Sequence, residues 1–166
     1  KTMDSGGKNV HRTANQGGYV MTVCAGAPDE TVKSAVKAGK ETGVWVVGDT
    51  IGVADQPARA RQCAEGGGDM IYLHYGADQR CSDPARDSTQ WLAAVQQVVD
   101  LPIGVGCFAV EDGVLAAQTG AELVCLSSMM KSVHIAGWAT CERPISRKAT
   151  AYHRPINSAM TDMSDM

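Results

Sequence analysis

The stretch VWVVGDTIG (residues 44–52) decides the fold. It is almost continuously apolar and rich in valine until Asp49 interrupts it. An apolar run without alternation is typical of a strand that is buried on both faces, as the strands of parallel sheets are. We therefore predict a parallel strand with Asp49 at its C-terminal end.

Predicted strands and helices alternate on both sides of this stretch. Further strands are predicted at residues 19–26, 70–76, 102–106 and 122–128, and helices at residues 27–43, 54–68, 88–100 and 109–120. Asp29 is predicted as an N-cap, Gly43 as the glycine that ends a helix, and Pro57 as a first-turn residue. Apolar strands that alternate with amphipathic helices indicate a parallel sheet covered by helices.

Both a doubly wound sheet and a (β/α)8 barrel have this alternation. The polar residues favour the barrel, because Asp49, His74 and Asp78 fall at or just beyond the C-terminal ends of predicted strands, where barrel enzymes build their active sites. No G-x-G-x-x-G motif follows a predicted strand, which disfavours a doubly wound nucleotide-binding domain. At the front of the chain, KTMD (residues 1–4) is interpreted as the end of a strand and residues 6–18 as the helix after it.

The number of predicted strands is too small for a complete barrel. Eight strands are needed to close one, and an unclosed parallel sheet has unpaired edges. We therefore expect residues 1–130 to form an N-terminally truncated (β/α)8 TIM barrel in which about strands 3 to 8 are present. The regular pattern stops after residue 130, so residues 131–166 are expected to be an atypical C-terminal tail whose end has the composition of a disordered segment.

Composition excludes several classes of partner. The formal net charge is −3 and no basic stripe is present, which argues against nucleic acid. No apolar run approaches the roughly 20 residues that span a bilayer, so no membrane partner is expected. The six cysteines form no C-x-x-C pair, which disfavours structural zinc and is typical of thiols in a reducing compartment. A cytoplasmic location is expected.

Four polar side chains are candidates for catalysis. Lys1 and Asp4 at a strand end can stabilise negative charge on a substrate, although such pairs are more often solvated surface pairs. Asp49 follows an apolar strand, so its carboxylate needs a partner, and a functional and a helix-capping role are equally open. His74 is either a proton carrier or a hydrogen-bonded structural histidine. The histidines interpreted as surface residues are His11, His134 and His153.

Glycines at the end of another predicted strand are candidates for binding an anion. GVGCF (residues 104–108) permits close approach of the backbone to a ligand. Phosphate sites of barrel enzymes often follow the seventh and eighth strands, which is where this segment falls. The sequence therefore predicts an anion site there.

Four motifs in this order resemble those of the orotidine-phosphate-decarboxylase-like barrels, and among them most closely those of the 3-hexulose-6-phosphate synthases. KTMDSG (residues 1–6) resembles the end of the family's D-x-K-x-x-D motif, and TVCAGAPDETVKSAVKAGKETG (residues 22–43) its fourth unit. VVGDTIGVAD (residues 46–55) is similar to V-V-D-L-I-G-V, and HYGADQ (residues 74–79) to H-x-G-x-D. The related 3-keto-L-gulonate-6-phosphate decarboxylases typically carry a glutamate where Asp49 stands, which favours the synthases. The resemblance covers about residues 1–126.

The resemblance implies a lyase of the aldolase type. Such an enzyme condenses formaldehyde with ribulose 5-phosphate to a hexulose 6-phosphate through an enediolate stabilised by Mg²⁺. Lys1 would stabilise the enediolate oxygen, and Asp4 would reach into the partner's site in a homodimer with shared active sites. Asp49 would orient Lys1 and substrate hydroxyls, and His74 would move protons.

The resemblance also implies where phosphate and metal would bind. Phosphate would lie against Gly106, Cys107, Ser127 and Ser128, where the family has glycine pairs or Gly-Arg. The family's magnesium ligands lie on the second strand and on the first aspartate of D-x-K-x-x-D. Both positions are expected upstream of residue 1, so no metal ligand is predicted within the chain. The alternatives are the decarboxylase and a non-catalytic sugar-phosphate-binding remnant of such a barrel.

Overall fold

The computed structural model describes residues 5–83 and 88–126. The elements in chain order are α1 (Ser5–Asn15), β1 (Val20–Cys24), α2 (Asp29–Thr42), β2 (Trp45–Asp49), α3 (Gln56–Glu65), β3 (Met70–Leu73), α4 (Ala77–Ser82), a 3-10 helix (Ser88–Trp91), α5 (Leu92–Gln96), β4 (Ile103–Cys107), α6 (Val110–Thr119) and β5 (Leu123–Leu126). The predicted strand end at residues 1–4 and the predicted tail at residues 131–166 lie outside the described residues.

The five strands form one parallel sheet in the order β1-β2-β3-β4-β5. Each strand is therefore paired with the next one along the chain. A doubly wound sheet reverses its strand order at a switch point, whereas a (β/α) barrel keeps the order of the chain. The observed order is that of the barrel, and the doubly wound alternative does not fit the described strands.

One face of the sheet carries the hydrophobic core. Ile71, Leu73, Ile103 and Val105 project from the central strands toward the helices and are at most 2% exposed. The helices contribute a second set of buried side chains, which includes Val36, Ala60, Cys63, Leu92, Val95 and Ala116. Burying an aliphatic side chain of this size contributes about 1.5–3 kcal/mol relative to leaving it exposed, so this layer is a large stabilising contribution to the fold.

The opposite face carries the polar strand-end residues. Asp49, Tyr72 and Gly104 are consecutive partners across β2, β3 and β4. Partners in a parallel sheet project from the same face, and so do residues two apart in one strand. Gly106, two residues beyond Gly104, therefore lies on the same face as Asp49. His74 follows Tyr72 by two residues. In a barrel this face is the interior.

Of three residues predicted at helix boundaries, two are confirmed and one prediction is wrong. Gly43 follows α2 with a φ of 78° and donates its N–H to Gly39 O at 2.8 Å, which confirms it as the terminating glycine. Pro57 lies in the first turn of α3, as predicted. The prediction of Asp29 as an N-cap is wrong, because Pro28 is the cap and Asp29 begins the helix. Its carboxylate instead accepts a 2.6 Å hydrogen bond from Arg59.

Two acidic side chains fix the N-terminal edge of the sheet. Asp69, directly before β3, accepts the N–H of Val46 in β2 at 2.8 Å. Glu122, directly before β5, accepts the N–H of Ile103 in β4 at 2.9 Å. In both cases an acidic residue directly before one strand accepts a backbone N–H of the preceding strand.

The region between β3 and β4 differs most from the prediction. The helix predicted at residues 88–100 is a 3-10 turn followed by α5, which ends at Gln96. Val98 and Val99 both direct their N–H groups to Val95 O, at 3.0 and 3.1 Å, which closes the helix in a tight turn. The short helix α4 was not predicted. None of the described helices is long and apolar enough to cross a membrane.

Candidate active site

Asp49 and His74 meet at the C-terminal edge of the sheet. Nδ1 of His74 lies 3.2 Å from Oδ1 and 3.1 Å from Oδ2 of Asp49, although the two residues are 25 positions apart in the chain. The side chains are 34% and 17% exposed, respectively. Oδ1 of Asp49 also accepts the N–H of Ile51 at 2.9 Å, which fixes the carboxylate from a second direction. The structure thus brings together two residues that the sequence singled out separately.

A buried hydrogen-bond network holds the backbone at His74. Thr50, which is fully buried, accepts the N–H of His74 on its hydroxyl at 3.3 Å. The same hydroxyl lies 3.1 Å from Tyr72 O and 3.1 Å from Oε1 of Gln56, which is 1% exposed. Because buried polar groups are costly to leave unpaired, these contacts keep the ends of β2 and β3 in register.

The Asp49 contact decides how His74 can act. A carboxylate beside Nδ1 favours the neutral tautomer that carries its proton on Nδ1, and it stabilises the imidazolium when Nε2 gains a proton. Within the described part of the chain, no hydrogen bond occupies Nε2. The pair therefore has the arrangement of a general base with an orienting carboxylate.

A cavity of about 190 Å³ adjoins this pair at the ends of β3, β4 and β5. Its lining residues are Tyr72, His74, Tyr75, Ala77, Gly106, Cys107, Phe108, Cys125 and Leu126. The volume is smaller than the roughly 300 Å³ at which sites for whole organic ligands begin. The described cavity therefore fits one end of a ligand, such as a phosphate group.

A larger groove lies elsewhere and lacks this chemistry. It measures about 430 Å³ and is lined by Lys33, Val36, Lys37, Lys40, Glu41 and Gly66. These residues belong to the helical layer, where α2 faces the end of α3, and not to the ends of the strands. Volume alone therefore does not locate the candidate active site.

The predicted phosphate residues fall partly within the described chain. Gly106 and Cys107 both line the cavity, and Cys107 is 2% exposed. Ser127 and Ser128 lie outside the described residues, as do Lys1 and Asp4. The roles assigned to all of these residues stay predictions. His11 is a surface residue, as predicted, since its half-exposed ring lies 3.6 Å from Glu41.

Tyr72 is a site residue that the sequence analysis missed. Its ring lies 5.3 Å from that of His74, and its side chain crosses β4 at Gly104 and Gly106. A Cβ at Gly106 would lie only 2.7 Å from the Tyr72 hydroxyl. The two glycines of GVGCF therefore make room for this side chain. Their spacing of two, which puts them on one face of the strand, was the signal available in the sequence.

The Tyr72 hydroxyl is kept protonated by its surroundings. Burial raises its pKa well above the ordinary value, and the hydrogen bond to Cys125 raises it further. The negative charge of Asp49 acts in the same direction. The phenol is therefore a neutral polar group beside the cavity, with Cys125 as its hydrogen-bond partner.

Arg59 was also missed, and it lies where the loop after β1 meets α3. Its guanidinium donates to Ala25 O at 2.5 Å, to Ala27 O at 3.0 Å and to Asp29 Oδ1 at 2.6 Å. These bonds fasten the loop after β1 to α3. The same ion pair holds the pKa of Asp29 below its ordinary value, first through the hydrogen bond and then through the charge of Arg59.

The chain is similar, in both sequence and structure, to proteins named 3-hexulose-6-phosphate synthase. A 3-hexulose-6-phosphate synthase of Bacillus subtilis is 29% identical over 99 residues, which are 60% of this chain and 46% of that protein. A crystal structure of 3-hexulose-6-phosphate synthase from Salmonella typhimurium is 30% identical, with a TM-score of 0.70 over 80% of this chain and 63% of that one. The chain is similar to the 3-hexulose-6-phosphate synthases over part of their length.

A second solved 3-hexulose-6-phosphate synthase is 31% identical, with a TM-score of 0.66 over 76% of this chain and 60% of that one. No protein-family model matches the chain. The matched region spans less than two thirds of the length of each of these synthases. The predicted resemblance and the barrel type of fold are confirmed.

Magnesium, which the resemblance to these synthases implies, is not accommodated by the described residues alone. In residues 5–83 and 88–126, no three histidine, cysteine, aspartate or glutamate side chains converge as a metal site. Asp49 brings one carboxylate to the site, and both of its oxygens face His74. Mg²⁺ requires near-octahedral oxygen coordination, which the described residues do not supply.

Proposed function

We propose that this protein acts as a 3-hexulose-6-phosphate synthase, a lyase of the aldolase type that joins formaldehyde to ribulose 5-phosphate. The observation that carries the proposal is the Asp49–His74 pair beside a strand-end cavity, in a chain whose relatives bear that name. The proposal extends to the substrate, which is a sugar phosphate, and to formaldehyde as the second reactant.

His74 supplies the proton transfer that such a reaction needs. In the proposed reaction, Nε2 removes a proton from C1 of ribulose 5-phosphate, and the electrons of that C–H bond form an enediolate. The C1 carbon of the enediolate then attacks the carbonyl carbon of formaldehyde. A new C–C bond forms, and the former carbonyl oxygen takes up a proton. Asp49 stabilises the imidazolium between the two proton transfers.

The cavity accounts for the phosphate end of the substrate. Gly106 and Cys107 line it, and the Tyr72 hydroxyl adds a neutral polar group on the same side. The sugar would then extend from the cavity toward His74, which lines the same cavity.

The proposal includes three further features that none of the described residues supports directly. They are a requirement for Mg²⁺, a homodimer with shared active sites, and a cytoplasmic location. The first two are tested by assays with Mg²⁺ or EDTA and by sedimentation of the protein.

The direct test is to supply formaldehyde, ribulose 5-phosphate and Mg²⁺ and to measure loss of formaldehyde and formation of a six-carbon phosphate. His74→Asn should abolish the reaction, and His11→Asn, at an exposed histidine of α1, should not change it. Release of CO₂ from 3-keto-L-gulonate 6-phosphate without consumption of formaldehyde would establish the decarboxylase instead. Binding of ribulose 5-phosphate that is indifferent to Mg²⁺, with neither reaction, would establish the non-catalytic remnant.

A further inference from the structure

The cavity at the ends of β3, β4 and β5 has little positive charge of its own. Of its described lining residues, only His74 can carry a positive charge. The negative charge of Asp49 would neutralise it. The ligand proposed for this cavity is a phosphate group, which is a dianion or monoanion at neutral pH. Neutral donors alone bind such a group weakly, because charge-assisted hydrogen bonds are about twice as strong.

Arg80 brings a permanent positive charge to the edge of this cavity. Its Cζ atom lies 4.9 Å from the ring centroid of Phe108. Phe108 itself lines the cavity and directly follows Cys107. This distance is within the range of a cation–π contact, which favours a position of the guanidinium over the ring.

The segment that carries Arg80 is held in place by several contacts. The Tyr75 hydroxyl donates to Gln79 O at 3.0 Å, and the Tyr75 N–H donates to Ser88 Oγ at 2.9 Å. Oε1 of Gln79 accepts the N–H groups of Gly76 at 2.9 Å and of Gly52 at 3.3 Å. These bonds join α4 to the loop after β2 and to the 3-10 helix, so the backbone at Arg80 does not depend on a ligand for its position.

The guanidinium of Arg80 contacts the Phe108 ring and has no acidic partner among the described residues. Among residues 5–83 and 88–126, no carboxylate forms an ion pair with its guanidinium. Arg59 is different, because it is 16% exposed and bonded to Asp29 and to two backbone carbonyls. Arg80 contacts an aromatic ring, lies on a fixed backbone segment and has no carboxylate partner among the described residues, so it is suited to bind a ligand anion. Its planar guanidinium group matches the oxygens of a phosphate group.

We propose that Arg80, stacked on Phe108, binds the phosphate group of the substrate at this cavity and makes the site selective for phosphorylated over unphosphorylated ketoses. The inference rests on the proposed function for the identity of the ligand as a sugar phosphate. Arg80 acts in binding and does not touch the reacting carbon.

The test compares the unmodified protein with Arg80→Gln, Arg80→Lys and Arg61→Gln by calorimetric titration with ribulose 5-phosphate, ribulose and inorganic phosphate. Arg61→Gln is the matched control, since it removes an exposed arginine of α3. We expect Arg80→Gln to weaken binding of ribulose 5-phosphate and of inorganic phosphate about tenfold or more, and to leave binding of ribulose unchanged. A tenfold change corresponds to about 1.4 kcal/mol. Arg80→Lys should fall in between, because it keeps the charge and loses the planar fork.

Each outcome separates this inference from the proposed function. If ribulose 5-phosphate binds equally well to the unmodified protein and to both Arg80 variants, the inference is overturned and the proposed function stands. If the sugar phosphate does not bind but inorganic phosphate binds in an Arg80-dependent manner, the anion site stands and the function fails. Binding of neither ligand to the unmodified protein overturns both. Phe108→Leu provides a second variant that keeps the charge, and it should weaken phosphate binding less than Arg80→Gln does.

Discussion

Both carboxylate oxygens of Asp49 lie within 3.2 Å of Nδ1 of His74. Asp49 is the last residue of β2, and His74 is the first residue after β3. Because Asp49 pairs with Tyr72 across the sheet, the residue two positions further along lies on the same face. The pairing of the strands therefore creates the contact.

Replacement of Asp49 by asparagine should change the tautomer of His74. In the unmodified protein the carboxylate keeps the proton on Nδ1, whereas an amide can offer its NH₂ group and favour the proton on Nε2. We expect ¹⁵N chemical shifts of His74 to show that exchange. We also expect kcat of the proposed reaction to fall roughly 100-fold or more, because a general base contributes on this scale.

Glu65→Gln is the control for this change, since it removes an exposed carboxylate from α3 without touching the site. It should alter neither the His74 shifts nor kcat. An unchanged His74 tautomer in Asp49→Asn would show that the carboxylate does not orient the ring.

Replacement of Gly106 by alanine should collide with the Tyr72 hydroxyl, because the new Cβ would lie 2.7 Å from that oxygen. We expect a loss of about 1–3 kcal/mol in the free energy of unfolding, as for other overpacked positions. Tyr72→Phe removes the oxygen, so the double variant should lose less than the sum of the two single variants. Urea denaturation of the three variants measures this coupling.

Gly26→Ala is the matched control for Gly106→Ala. At Gly26 the nearest atoms to a new Cβ are 3.6 Å away, which is ordinary contact. Gly26→Ala should therefore cost much less than Gly106→Ala. Additive losses from Gly106→Ala and Tyr72→Phe would contradict the contact between the two side chains.

Asp29 should contribute to stability at neutral pH and not in acid. Its pKa is lowered in the folded protein by the hydrogen bond and charge of Arg59, so the folded state binds its proton more weakly than the unfolded state does. The contribution is therefore complete above the pKa of the unfolded chain and is lost as the pH falls through the lower pKa of the folded chain. Asp29→Asn should be less stable than the unmodified protein at about pH 7 and equal to it near pH 2.

Urea denaturation across this pH range measures the difference. Glu30→Gln serves as the control, because Glu30 pairs at 3.3 Å with Lys33 and both side chains are well exposed. Exposed pairs of this kind contribute little, so Glu30→Gln should have a smaller effect at every pH. A pH-independent loss in Asp29→Asn would mean that the Arg59 contact does not depend on the charge of Asp29.

Asp69 should protect the amide of Val46, the second residue of β2, from exchange with solvent. Replacement by alanine removes the acceptor of the Val46 N–H, which lies 2.8 Å from Oδ2. We expect a loss of about 1–3 kcal/mol in the free energy of unfolding and faster hydrogen exchange at Val46. Asp69→Asn keeps a carbonyl oxygen at the same place and should lose less.

Glu122→Ala offers an independent comparison at β4, where the Ile103 N–H is bound in the same way at 2.9 Å. Exchange at Ile103 should then increase while exchange at Val46 stays unchanged. Faster exchange at both amides in either variant would indicate general loosening of the sheet rather than loss of one hydrogen bond.

The sequence predicted the strands and most helices because their signals are local. The five described strands overlap all five runs that were read as apolar, and Gly43 terminates α2 as its position indicated. The same local signal failed at Asp29, where a capping residue type was present but the carboxylate bonds to Arg59, 30 positions away. It also failed at α4, where Gln79 is held by Gly52, Tyr75 and Gly76, all outside the helix.

The candidate site was predicted in part for the same reason. Asp49 and His74 were identifiable because each ends an apolar run, and this needs only the residues before them. Tyr72 was not identifiable, because its ring lies inside a strand and gains its role from two glycines of β4 that are more than 30 positions away. Arg80 has no local signal at all, and its place beside Phe108 depends on α4.

The sequence by itself determined the alternation of strand and helix, the type of barrel, and the two polar residues at strand ends, because periodicity and composition act over a few neighbouring residues. Only the tertiary structure decided that Asp49 bonds to Nδ1 of His74, that Tyr72 fills the space above Gly106, and that Arg80 stacks at the edge of the cavity. Those contacts join residues far apart in the chain, and they exist only once strand pairing has set which side chains share a face of the sheet.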